Sequence, residues 1–324
     1  MAFIKSKTLK DAIYYYLVEN YRIGEKVFQK NLKYIGKHEP SQELVDELKL
    51  EFNEKAIQQI IRSDLKFTPF KVSESTLARA DELKKKFLSN LKSLSSKGKD
   101  QLIKRFKTGY TYHSCSIEGN TLSRAEVDLV INKDQSIDGK RLLELQEVRN
   151  HKKAIEYMIS EQGDLGENFI KRLHETLMNE MLEYVEDDDE FVVGGYRCDR
   201  RYIEGADFVP VEPIVIPFEM KDLIRMYKKS KFKIHPIELA SEFHLRFAII
   251  HPFSDGNGRM ARLLMNFILE RAGFPMIDIS VKNREDYIKA LDSGKSENLT
   301  RFICNQLEDY VEKLFGNLEG MEKY

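Results

Sequence analysis

The chain has no tryptophan, and only three cysteines in 324 residues. Cys115, Cys198 and Cys304 are odd in number and show no CxxC spacing, which argues against a disulfide framework and a cysteine-built zinc site and suits a reducing compartment. No apolar run approaches the roughly 20 residues that span a bilayer, and the opening MAFIKSKTLKDA lacks a leader's apolar stretch. These absences predict a cytoplasmic protein without a membrane partner. A charge surplus is missing too: 52 basic residues face 53 acidic ones, so nothing draws the whole chain to a polyanion, and nucleic acid is not expected as a general partner. The balance is uneven, however. Residues 1–100 hold 20 basic and 14 acidic side chains, which leaves room for a local basic region. With 42% hydrophobic and 32% charged residues, the composition excludes a disordered chain.

Two periodicities divide the chain. Tyr14 to Val18, the turn signal Ile23-Gly24-Glu25-Lys26 and the β-branched and aromatic stretch from Val27 to Ile35 predict an antiparallel strand pair closed by Gly36. From Ser41, a plausible N-cap by residue type, the spacing turns helical through Leu44, Leu48, Phe52, Ile57, Ile60 and Ile61. Further helical patterns cover about 73–94, 98–115, 122–131, 140–160 and 167–185. The interruption from Glu186 to Pro217 opens with the acidic run EDDDE and continues with glycines, prolines and short β-prone pieces, so it reads as an irregular surface hairpin. Helical spacing resumes near 218 and again from Pro236 to about Ile250. No repeat of solenoid length is visible.

The chemistry concentrates in HPFSDGNGRMAR, residues 251–262, a loop that opens a helix ended by Gly273. Gly256 and Gly258 allow close backbone approach, and the new helix offers unpaired N–H groups with a partial positive charge. That is an anion cradle. Arg259 and Arg262, three residues apart, can grip phosphate oxygens from one helix face. Asp255 would repel phosphate unless it ligates a magnesium ion shared with the phosphate oxygens. His251 at the mouth is the nearby group able to take a proton near neutral pH. The set describes nucleotidyl or phosphoryl transfer to a hydroxyl.

HPFSDGNGRMAR resembles the Fic signature HxFx(D/E)GNGRxxR at every fixed position: His251, Phe253, Asp255, Gly256, Asn257, Gly258, Arg259 and Arg262. The similarity extends over roughly residues 110–315, through HPIELASEFHLRFAII, LLMNFILERAGFP and GGYRCDRRYI. Ser114-Cys115-Ser116-Ile117-Glu118-Gly119 resembles the inhibitory pattern (S/T)xxxE(G/N) and, lying ahead of the core, implies the class inhibited by its own N-terminal helix. The implied fold is mainly α, a Fic-type helical core with a β-hairpin flap. The division is a β-element at 1–40, helices at 41–109, a Fic domain at 110–315 with inhibitory helix near 110–119 and flap near 191–210, and a tail at 316–324.

The resemblance further implies transfer of AMP from ATP to a Ser, Thr or Tyr hydroxyl of a protein, with release of pyrophosphate. In that reading His251 is the base, Asp255 holds Mg2+, Gly256, Asn257, Gly258 and Arg259 hold the phosphate chain, and Arg262 holds the γ-phosphate. Tyr287 would border the adenine. Ser114 and Glu118 would regulate, and Arg197, Ile203, Gly205 and Phe208 on the flap would dock a target segment. Self-modification is expected, the target is unidentified, and a homodimer is left open. Two other readings stay beside it: removal of AMP with water aligned by Glu118, and a non-enzymatic partner-binding module. Blander readings are assigned to Cys115 and His244 as core, Phe253 as an apolar anchor of the loop, and Lys84 to Lys86 as a solvated face.

Overall fold

The structure is a computed structural model that describes residues 2–9, 12–23, 26–48, 72–181, 192–201 and 209–316. It divides into two compact units, Met1–Phe67 and Thr68–Tyr324. The first unit holds three antiparallel strands in the order β1 (Ala2–Leu9), β2 (Ala12–Ile23) and β3 (Lys26–Gly36), followed by α1, helical over residues 42–48. The strand pair expected from the sequence is present, and β1 adds a third strand whose KSKT stretch carries little apolar signal. Ile4 stands opposite Leu17, and these two pack with Ile35 and with Leu48 of α1, so the helix covers one face of the sheet.

The second unit is helical. Its described elements are α2 (Glu74–Ser93), α3 (Ser96–Ile117), α4 (Arg124–Lys133), α5 (Leu142–Ser160), α6 (Glu167–Leu177), α7 (Ile216–Ser230), α8 (Pro236–Ile250), α9 (Asn257–Arg271), α10 (Arg284–Asp292) and α11 (Ser296–Gly316). Local chemistry explains several starts. Ser73, Ser95 and Ser123 accept from backbone amides at the N-termini of α2, α3 and α4, and Ser123 forms a reciprocal capping box with Glu126. Helix α6 ends at Leu177, short of the expected 185. Glu180 there takes a left-handed φ of 59° while Met178 and Met181 turn into the core.

At the centre lie α8 and α9. From Met260 to Leu269 every α9 residue is buried, as are Ile237, Phe243, Phe247 and Ile250 of α8, and a helix buried all round belongs inside a bundle. Helices α7 and α11 pack on α8, and α3, α5 and α6 pack on α9. Cys115 sits in a core with Leu122, Val127, Val130, Leu145 and Val148. Lys84 does more than face solvent: its Nζ donates to the Ala272 carbonyl at the end of α9 (2.7 Å) and lies over the Phe274 ring. No strand appears among the described residues of the 192–201 and 209–217 segments. The EDDDE run and the flap residues Ile203, Gly205 and Phe208 lie outside the described residues.

Candidate active site

The site begins where α8 stops. His251 is the helix C-cap, with a left-handed φ of 49° and ψ of 60° that a side chain rarely adopts, and its N–H still donates to the Phe247 carbonyl (2.9 Å). The turn that follows is closed locally. Asn257 Oδ1 accepts from the Phe253 N–H (2.9 Å), and its Nδ2 donates to the Phe253 carbonyl (2.7 Å). The amide expected on phosphate is therefore occupied in shaping the loop. Gly256 takes φ 75°, and a Cβ there would come within 3.0 Å of Met178 Sδ. Helix α9 then starts with no side-chain cap, so its first N–H groups face the loop.

Phe253 is fully buried and stacks flat on His174 of α6, with ring centroids 3.7 Å apart. His174 joins two loops. Its Nδ1 accepts from the Gly194 N–H (3.0 Å), which leaves Nε2 to donate to the Asp255 carbonyl (3.1 Å). Burial lowers its pKa to about 4, so the ring that makes these bonds is neutral at pH 7. From the sequence, His174 is one more residue on an amphipathic helix.

Arg197, expected on the docking flap, turns inward and is 2% exposed. Its guanidinium donates to the carbonyls of His251 (2.7 Å), Asp199 (2.6 Å) and Val211 (2.6 Å), and its N–H donates to the Pro252 carbonyl (2.9 Å). It holds the backbone under the catalytic candidate and cannot reach a target. The imidazole of His251 has its pKa lowered to about 4 by burial first and by the Arg197 charge second. It is neutral at physiological pH, as a proton acceptor must be.

The two arginines of α9 are held differently. Arg259 Nη1 pairs with Glu147 of α5 (2.6 Å) and Nη2 with Asp255 (3.0 Å). Glu147 is itself set by Asn120 Nδ2 at 2.6 Å. Neither Glu147 nor Asn120 carries a motif in the sequence. Burial pushes the Asp255 carboxyl upward, but Arg259 and the Gly256 amide outweigh it and hold it below the usual carboxylate range. Arg262 is 1% exposed; its Nε donates to Ser114 Oγ (3.0 Å), and its Nη2 to the Ser114 carbonyl (2.8 Å) and Glu118 Oε1 (2.7 Å). Ser114, Glu118 and Arg262 are thus brought together as expected. Tyr287 is 2% exposed: its ring lies 6.0 Å below the Arg262 guanidinium, and its hydroxyl meets His244 Nε2 at 2.8 Å. It supports Arg262, and His244 is core, as read from the sequence.

Glu118 is the C-cap of α3, and Gly119 after it takes φ 102°. Its carboxylate lies against Gly258, where an added Cβ would collide with Oε1. A negative side chain at a helix C-terminus is unfavourable, whereas the N-terminus of α9 favours one. Glu118 therefore sits in the anion cradle itself.

A helical bundle with an uncapped, glycine-lined helix terminus, two buried arginines and a neutral histidine at its mouth defines a Fic-type domain. The chain carries a Fic domain: residues 164–269 match the Fic/DOC family. Among curated relatives, the protein adenylyltransferase fic-1 of Caenorhabditis elegans is 29% identical over 219 residues, 65% of this chain and 41% of that protein. The protein adenylyltransferase Fic of Nematostella vectensis is 32% identical over 206 residues, 62% of this chain and 46% of that one. The chain thus spans less than half the length of these relatives. Among solved structures, a Fic-domain-containing signalling protein from Bacteroides thetaiotaomicron aligns with a TM-score of 0.64 at 27% identity, over 72% of this chain and 94% of that one. Residues 134–508 of Fic-1 from C. elegans align with a TM-score of 0.63 at 25% identity, over 86% and 78%.

Proposed function

We propose that the chain is an autoinhibited protein adenylyltransferase, transferring AMP from ATP to a Ser, Thr or Tyr hydroxyl of a target protein and of itself. The observation that carries this reading is the Glu118 carboxylate lodged against Gly258 and bonded to Arg262. A carboxylate in that place imitates a phosphate and engages the arginine a terminal phosphate would need. ATP can bind, but its phosphate chain is turned away from the productive pose.

Once Glu118 withdraws, the N–H groups at the start of α9 and the two guanidiniums receive the phosphates. His251 takes the proton of the incoming hydroxyl as its oxygen bonds to the α-phosphorus, while the bond to the bridging oxygen breaks and pyrophosphate leaves. The negative charge of bound nucleotide beside the ring raises its low pKa and strengthens it as a base. The residues also fit magnesium. Asp255 offers a carboxylate held ionised by Arg259 at the edge of the cradle, and magnesium takes one or two carboxylates and completes its shell with phosphate oxygens and water. There it would neutralise the charge of the phosphate chain.

The test is incubation of the purified chain and its Glu118→Gly variant with ATP radiolabelled at the α- or the γ-phosphate. The expected result is α-label fixed to protein in the variant, with no γ-label. Fixed γ-label would make the protein a kinase, and unlabelled protein in both, with nucleotide bound, would remove the transferase reading.

A further inference from the structure

We infer that the sheet face opposite α1 is a binding surface for single-stranded nucleic acid. The sheet of β1, β2 and β3 buries one face through Ile4, Leu17 and Ile35 against Leu48. The other face carries an aromatic cluster. Tyr14 and Tyr34 have ring centroids 6.2 Å apart, and Tyr16 and Tyr34 are 5.4 Å apart. Tyr34 is 51% exposed. Lysines interleave with the rings: Lys5 stands opposite Tyr16 in the register, Lys7 opposite Tyr14, and Lys37 Nζ lies 5.6 Å above the Tyr14 ring.

On this face Val18, opposite Phe3, is fully buried, whereas Tyr14 and Tyr16 are half-buried and Tyr34 is exposed, so the contact surface is the end of the face that holds the three clustered tyrosines. Charge identifies the occupant. Residues 1–37 contain eight basic and three acidic side chains, so the basic surplus of the N-terminal part is concentrated in this sheet, on a chain whose net charge is -1. Base-ring stacking flanked by lysines is how single strands are held without sequence preference. A duplex keeps its π-faces inside its own stack, about 3.4 Å apart along each strand, and offers these rings nothing.

The test is fluorescence anisotropy of the full chain with a labelled oligothymidylate of about 12 nucleotides, within the usual site sizes, and with a duplex of equal length. We expect the single strand to be preferred and its affinity to fall with salt, by about 0.7 logarithmic units per phosphate contact for each tenfold rise in salt concentration. Tyr34→Ala should weaken binding about 5- to 150-fold, the range of one lost stacking contact. Tyr34→Phe, which keeps the ring, should restore it, and Lys7→Glu with Lys37→Glu should weaken binding and flatten the salt slope. Equal affinity for the duplex, no binding at low salt, or a Tyr34→Ala protein with unchanged affinity would overturn the inference. Displacement by polyglutamate as effective as by the oligonucleotide would assign the face to an acidic peptide instead.

Discussion

The 251–258 loop and the end of α3 meet at the same helix terminus, yet they are held in opposite ways. The loop is closed mainly from within: Asn257 bonds Phe253 four residues back, and Arg259 bonds Asp255 at the same spacing. The end of α3 reaches the site across the chain, with Ser114 and Glu118 bonded to Arg262 at separations of 148 and 144 residues. A locally closed loop keeps its shape whatever α3 does. A distant helix end can move away without dismantling it. That division is the one the proposed autoinhibition requires: a loop held by its own bonds and a helix end that can leave it.

The largest expected effect breaks the loop's chemistry and leaves its frame. In a Glu118→Gly background, His251→Ala should lower α-label incorporation about 10²- to 10⁴-fold, the usual loss for a general base, with ATP affinity near that of the background. Retained turnover would remove the histidine from its role. Next comes the α3 contact alone. If the Glu118 to Arg262 pair biases the site by about 2 to 4 kcal/mol, Glu118→Gly should raise incorporation about 30- to 1,000-fold, at about 1.4 kcal/mol per tenfold. Glu118→Gln, which keeps the shape and drops the charge, should fall between parent and glycine variant. Equal activity in all three, with ATP bound, would sink the autoinhibition.

A third prediction probes one of the loop's long-range anchors, His174 on the Asp255 carbonyl. His174 and His244 are neutral in the folded state, with pKa values lowered by burial to about 4 and about 3. An unfolded histidine titrates at about 6.5, so on acidification the unfolded chain takes up protons first. The stability these residues contribute is full above about pH 6.5 and declines as pH falls toward 4, by on the order of 3 kcal/mol for His174. Thermal melting from pH 7 to 4 should show that decline, and His174→Phe should make it shallower. A flat profile would show that His174 takes up its proton as readily in the fold as in the unfolded chain, so that its pKa is not lowered. The smallest effect should come from Ser114→Ala, which removes one neutral acceptor from Arg262 and spares Glu118. About 1 kcal/mol corresponds to an activation of about fivefold. An activation as large as that of Glu118→Gly would move the inhibitory weight onto the serine.

The division between local and distant contacts also decides what could be read in advance. The helices were legible from their 3.6-residue spacing, although the caps Ser73, Ser95 and Ser123 went unread, and the sheet from its β-branched and aromatic runs. β1 escaped because alternating lysines leave no apolar face to recognise. Arg197 was legible as part of a segment near the site but was given the wrong direction, since a docking arginine and one buried under four carbonyls are the same residue in a sequence. Asn257 was read as a phosphate ligand for a similar reason. An amide can face a ligand or its own loop, and only the observed bonds to Phe253 distinguish them.

By itself, then, the sequence determined the turn over residues 253–259, because Asn257 bonds Phe253 and Arg259 bonds Asp255 only four residues away, so these contacts close as the helix starts. The meeting of Ser114 and Glu118 with Arg262 was visible only through resemblance. Glu147 beneath Arg259, His174 between Gly194 and Asp255, and Arg197 behind His251 were decided by the tertiary structure alone. Their partners lie 112, 20 and 81, and 54 residues away. Buried arginines, carbonyls and amides must each be matched when the helices close on one another, and only the packed bundle determines which side chain completes which bond.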